Sequence, residues 1–185
     1  MRYTLICCLF LFSCQVETSS VELPSKKFFF DLPLFFQQEI AELKELEISG
    51  IHKEIVINDK REIQEVHTVE LEKELAIFIN ADINRLAWKD QYQVDSVFNQ
   101  QELEAIHYTG LKENLKTKKL SVYLKEGQVT QLQIRKGLSN MAAESFQELT
   151  YYSRKGYAII NKQSLVFSEE QHIEMKVDYI FESGL

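Results

Sequence analysis

Histidine, cysteine and carboxylate side chains are the groups with which this chain could hold a metal or carry out nucleophilic chemistry. The histidines are His52, His67, His107 and His172. No two stand at the HxH or HExxH spacing that places two imidazoles on one face of a strand or helix. If Asp59 and Lys60 formed the two-residue turn of a hairpin, His52 would face His67, an arrangement open to proton or metal binding; two half-exposed strand histidines are the commoner outcome. Glu169, Glu170 and His172 are sequence neighbours but fall in an expected turn. There is no GxSxG elbow, phosphate-cradling glycine loop or dinucleotide fingerprint. With 28 acidic residues, some carboxylate pair will lie close by chance, so closeness alone marks no catalytic pair. The three cysteines, Cys7, Cys8 and Cys14, leave none for a disulfide or zinc site in the folded body. The expectation is no enzyme, no metal and no cofactor.

Cys14 has a different role in view. Met1-Arg2 is a short positive start, and Tyr3 to Phe12 is an apolar run. As a helix that run spans about 15 Å, half of a hydrocarbon core of about 30 Å, which suits a signal peptide rather than a membrane span. Leu11, Phe12, Ser13 and Cys14 then precede a polar stretch beginning at Gln15. This pattern resembles the lipobox of bacterial lipoproteins, with Leu11 three residues before the acceptor Cys14 and the small Ser13 just before it. The resemblance implies cleavage before Cys14, acylation of its thiol and amine, and a firm anchor in a bilayer. The absence of aspartate after the cysteine favours the outer membrane, on a face the sequence does not give. The alternatives are an ordinary signal peptide that contains cysteine, or a buried N-terminal strand. The expected organisation is a signal peptide over 1–13, a lipidated tether over 14–27 and one domain over 28–185.

The elements of that domain follow from periodicity. Phe28 to Phe36 reads FFFDLPLFF: Asp31 can cap a helix, Pro33 fits its first turn, and Phe30 with Phe35 suits a hydrophobic staple. Phe36, Ile40 and Leu43 continue at helical spacing, predicting an amphipathic helix over 32–47 whose phenylalanines pack under a sheet. A hairpin is expected over 48–69. A second amphipathic helix is expected over 70–87, carrying Leu71, Leu75, Phe78, Ile79, Ile83 and Leu86, with Asp82 and Asn84 on its polar exterior and Trp88 covering its end. From Tyr92 the period changes to two. Candidate strands cover 92–98, 103–111, 118–125, 129–136, 146–153, 156–161, 164–168 and 172–181, with turn signals at Glu126-Gly127 and Lys155-Gly156. The short links forbid parallel crossovers, so this half is an antiparallel meander.

The fold class is therefore α+β: two amphipathic helices on a curved antiparallel sheet of about eight strands, open or an incomplete barrel. A net charge of −7 argues against nucleic acid as a partner. The lysines between Lys112 and Lys125 read as a solvated hairpin that discourages edge pairing, or else as a dock for an anionic partner. The strand tyrosines read as ordinary sheet residues, or as the rim of an apolar groove. The order of elements is similar to that of the incomplete-barrel lipoprotein carriers and receptors, in which helices plug a bent sheet. That resemblance implies an envelope binding module holding a hydrophobic ligand or an exported polypeptide in the concave sheet. The other class is an assembly accessory that docks on an outer-membrane complex through an exposed surface. A cavity lined by Phe, Leu and Ile beneath the helices would mark the first, and a closed core with an exposed apolar patch the second.

Overall fold

The computed structural model describes residues 27–139, 143–165 and 168–182. The segments expected to be a signal peptide and a lipidated tether, Cys14 included, lie outside them but for Lys27. Helix α1 (Leu32–Glu45) is followed by strands β1 (Ile48–Ile57) and β2 (Lys60–Val66), then two single-turn helices, α2 (Leu71–Glu74) and α3 (Ala76–Ile79), and a 3₁₀ turn at Leu86–Trp88. Seven strands follow: β3 (Tyr92–Asn99), β4 (Glu102–Gly110), β5 (Thr117–Lys125), β6 (Gln128–Ser139), β7 (Ala143–Tyr152), β8 (Gly156–Leu165) and β9 (Ser168–Phe181). They form one open sheet in the order β2-β1-β9-β8-β7-β6-β5-β4-β3. Every neighbouring pair is antiparallel. The α+β class is the expected one, with nine strands rather than about eight. The segment 164–168 is not a strand of its own, because Ser164 and Leu165 prolong β8 and Ser168 opens β9.

Turn chemistry sets the register. Three hairpins close through two residues that both have positive φ: Asn58-Asp59 (46° and 69°), Gln100-Gln101 (47° and 75°) and Glu126-Gly127 (53° and 75°). Such turns twist in the same sense as the strands they join. The first of them lies one residue earlier than Asp59-Lys60. His52 therefore stands opposite Glu65, not His67, and the histidine pair does not form. Between β7 and β8, Gly156 has φ 145°, and a Cβ there would sit 2.0 Å from the Val177 carbonyl oxygen.

Helix α1 starts as its sequence dictates. The Asp31 carboxylate accepts the Leu34 N–H at 3.2 Å, and the Phe30 and Phe35 rings meet at 5.6 Å. The expected helix over 70–87 breaks instead into α2 and α3 and ends at Ile79. Its later half alternates β-branched Ile77, Ile79 and Ile83 with Asn80, Asp82 and Asn84, residues that lose rotamer freedom in a helix or compete for its backbone bonds. Asn84 is not polar exterior. Its Oδ1 accepts the N–H groups of Phe28 and Phe29 at 2.9 Å, and its Nδ2 donates to the Phe30 carbonyl at 2.9 Å. One side chain thus ties the chain's approach to α1 onto the segment after α3.

The core lies between these helices and the sheet. Leu32, Phe36 and Leu43 of α1, Leu75 and Phe78, and Leu132, Leu149 and Tyr151 of the sheet are fully buried. The Phe36 ring stands edge-on to Tyr151 at 4.9 Å, and Phe78 meets Tyr157 at 5.6 Å, geometries that favour aromatic pairs beyond their area.

Candidate ligand-binding face

Cross-strand partners on one face of an antiparallel sheet stand in rows, about 5 Å apart from strand to strand. Three rows define the inner, helix-bearing face. The first crosses Val122, Leu132, Tyr151, Tyr157, Val177 and Lys53. The second crosses Leu120, Ile134, Leu149, Ile159, Met175 and Ile55. The third crosses Thr117, Lys136, Gln147, Asn161, Ile173 and Ile57. The first two rows are almost wholly apolar. The third changes character: from β6 to β8 its inward residues are Lys136, Gln147 and Asn161, and on β9 and β1 they are isoleucines.

Around the polar half of that row lies a pocket of about 260 Å³, lined by Lys116, Lys136, Gly137, Ser145, Gln147 and Asn161. Lys136, Gln147 and Asn161 are half-buried. Burial, and after it the neighbouring Lys116 charge, lowers the Lys136 pKa from the ordinary lysine value. Among the described residues neither lysine has a carboxylate partner. Two unneutralised ammonium groups, an amide on each of two adjacent strands and a serine form a donor-rich floor for an anion. Ile173 and Ile57, the next residues along the row, extend it with apolar surface. From Lys136 to Ile57 the row takes four inter-strand steps, about 19 Å.

The other half of the inner face is closed. Side chains of α1, α2 and α3 fill the space above the first row, so the Phe, Leu and Ile residues there form a packed core. Two carboxylates enter it with their donors. Glu39, 6% exposed, accepts from the Tyr151 hydroxyl at 2.8 Å, the Ser153 hydroxyl at 2.7 Å and the Arg154 N–H at 3.3 Å. Glu74 accepts from Lys53 at 3.1 Å and from the Tyr157 hydroxyl. Burial pushes the phenols of Tyr151, Tyr157 and Tyr179 well above the ordinary tyrosine value, and the adjoining carboxylates push Tyr151 and Tyr157 in the same direction. Burial raises Tyr92 to about 12. Glu39 and Glu74 with their donors hold α1 and α2 to the sheet, whereas the Tyr92 hydroxyl donates to the Thr117 carbonyl at 2.8 Å within it. Outside the helix layer a further depression of about 400 Å³ is lined by Pro33, Gln37, Ile40, Ala41 and Ile79, with Lys44 and Glu72 beside it. That ion pair, at 2.5 Å, already satisfies its own charges and offers a ligand little.

The histidines are scattered. The His52 Nδ1 lies 3.8 Å from Glu65, His107 shares a 2.9 Å hydrogen bond with Ser121 on the outer face, and His172 stands 3.1 Å from Glu174. Among the described residues no group of three or more His, Cys, Asp or Glu is placed to hold a metal ion. The side chains of Glu169 and Glu170 lie outside those described, as does Cys14. Trp88 is half-buried at the core's margin, with the Arg85 guanidinium 4.5 Å from its ring centre. The lysine-rich stretch does not guard an edge, because β5 lies between β4 and β6; its Lys116 lines the pocket instead. Sequence reasoning missed Lys136, Gln147 and Asn161. Each continues the inward alternation of Ile134, Leu149 and Ile159, and a polar residue at an inward position on three adjacent strands was the available signal.

No protein-family model matches the chain, and no curated protein or solved structure does either.

Proposed function

We propose that this chain is a lipid-anchored domain of the bacterial cell envelope, held at the outer membrane through Cys14, that binds an anionic amphiphile at the open end of its sheet. The ligand is a long apolar chain ending in a carboxylate or phosphate. Its head meets Lys116, Lys136 and the amides of Gln147 and Asn161; its tail runs across Ile173 and Ile57. The proposal rests on one observation above all: a single cross-strand row passes from half-buried, unneutralised lysine to isoleucine on an inner face that the helices cover only in part. A row of that kind costs stability if nothing binds there, since it holds an ammonium group partly out of water.

The lipobox resemblance supports the location, and a domain tethered beside a bilayer meets amphiphiles at high local concentration. Isothermal titration of the full chain with an 18-carbon fatty acid and with its methyl ester tests the binding. The acid is expected to bind and the ester to bind at least tenfold more weakly, with Lys136→Gln and Lys116→Gln each reducing acid affinity by about tenfold, the effect of about 1.4 kcal/mol. Equal binding of acid and ester, or an unchanged affinity in both variants, would overturn the proposal.

A further inference from the structure

The two edges of the sheet are built differently. On β2 the exposed residues of both faces are mostly charged: Lys60, Arg61, Glu62 and Glu65 surround a single exposed apolar residue, Ile63. Charges of this sort discourage another strand from pairing. On β3 the only charged residue is Asp95, and Val94, Val97 and Phe98 are exposed at 49%, 43% and 63%. Leu86 and Leu111, also exposed, flank the start of that strand: Leu111 donates its N–H to the Gln91 carbonyl just before β3, and Leu86 lies six residues ahead of Tyr92. Three of the eleven exposed large apolar residues among those described therefore lie on this one edge strand, and Leu111 is tied to the residue just before it. Its outer backbone groups have no strand to pair with among the described residues.

The sequence of β3 selects its partner. In an antiparallel pair related by a two-fold axis perpendicular to the sheet, opposed residues must point to the same face. Only registers centred on a residue satisfy this. Centring on Asp95 sets two carboxylates against each other, which is destabilising. Centring on Ser96 pairs Val94 with Phe98 twice, Gln93 with Asn99 twice, and Asp95 with Val97. The apolar and the amide residues then meet their own kind, Ser96 meets Ser96, and no like charges are opposed; Asp95, exposed, lies opposite Val97. Centring on Val97 breaks both Val94–Phe98 pairs and runs past the end of the strand. We propose that the β3 edge is a homodimer interface, in which two copies of this chain join antiparallel about Ser96 to make one continuous sheet. Both inner faces then lie on the same side, so the arrangement leaves the Lys136 pockets of the two copies open together.

Disulfide trapping in the full chain, purified in nonionic detergent, tests the register directly. Opposed Cα atoms in such a pair stand about 4.5–5.5 Å apart, within disulfide reach. Ser96→Cys is expected to form a reducible dimer in most of the protein. Asp95→Cys, displaced by two residues from its own copy and so beyond about 7 Å, is expected to link at less than a tenth of that yield. The wild-type chain controls for links through Cys7, Cys8 and Cys14. Phe98→Lys added to Ser96→Cys is expected to abolish the link while far-UV circular dichroism stays unchanged, the side chain being exposed. Sedimentation of the wild-type chain is expected to give a dimer at tens of micromolar. A monomer by sedimentation, or equal linking of Ser96→Cys and Asp95→Cys, would overturn the proposal.

Discussion

Lys136 keeps an ammonium group half out of water beside a second positive charge, and nothing among the described residues neutralises it. A lysine whose folded-state pKa is lowered binds its proton less tightly than in the unfolded chain, so its charge opposes folding. Lys136→Met is accordingly expected to stabilise the protein by about 0.5 kcal/mol, a modest figure because the group is partly solvated, and to raise Tm by on the order of 1–2 °C. The same variant is expected to lose fatty-acid binding. A gain in stability with a loss of ligand is the mark of a residue kept for binding; a fall in Tm would show that Lys136 serves the fold. The tyrosines carry the opposite sign. Burial raises Tyr92, Tyr108, Tyr151, Tyr157 and Tyr179 above the unfolded value near 10. Their folded forms hold the proton longer, so their contribution is complete below pH 10. It is lost above pH 10, by about 1.4 kcal/mol per pH unit for each phenol, up to its own folded value, which for Tyr92 is about 12. Absorbance at 295 nm and far-UV circular dichroism, followed together from pH 9 to 12, are expected to show these five phenols ionising only as the sheet unfolds. Ionisation of all five with the sheet intact would contradict their burial.

At the scale of elements, the turns decide where each side chain points. The loop from β7 to β8 returns through Gly156, where a φ of 145° and the Val177 carbonyl oxygen, which would lie 2.0 Å from an added Cβ, exclude a side chain. Gly156→Ala is expected to cost about 3 kcal/mol, lowering Tm by on the order of 10 °C in thermal unfolding, whereas Gly127→Ala, with open space around its Cβ, is expected to cost about 1 kcal/mol. Alternation made the strands legible in advance, and the Asp31 cap with the Phe30–Phe35 staple made α1 legible. Two things were not. The helical spacing of Leu71, Leu75, Phe78 and Ile79 was genuine, but periodicity reports only which face is buried, and it does not register that Asn84 is engaged by the backbone at Phe28–Phe30, 54 to 56 residues away. The first hairpin lacked an Asn-Gly pair, so the sequence allowed its turn to slide by one residue, and that slide removed the His52–His67 pairing. The polar pocket was hidden for a related reason: it is assembled from three strands, and no one of them carries a motif.

For the whole molecule, the sheet has one half that the helices cover and another that holds the Lys136 pocket, where the proposed ligand would bind. The helices close the first over Phe36, Phe78 and Tyr151, with Glu39 and Glu74 placed among matched donors. The second half is polar toward β6 and apolar toward β1, the gradient on which the proposed amphiphile binding rests. One edge of the sheet is charged and the other is apolar, so self-association through β3 would leave this face unobstructed. Native mass spectrometry of the chain extracted from envelopes without stripping lipid examines the anchored, amphiphile-binding reading most directly. The account predicts a polypeptide beginning at an acylated Cys14, carrying one non-covalently held anionic amphiphile that is lost in Lys136→Gln; an unacylated chain, or an acylated one that is empty in the wild type, would contradict it.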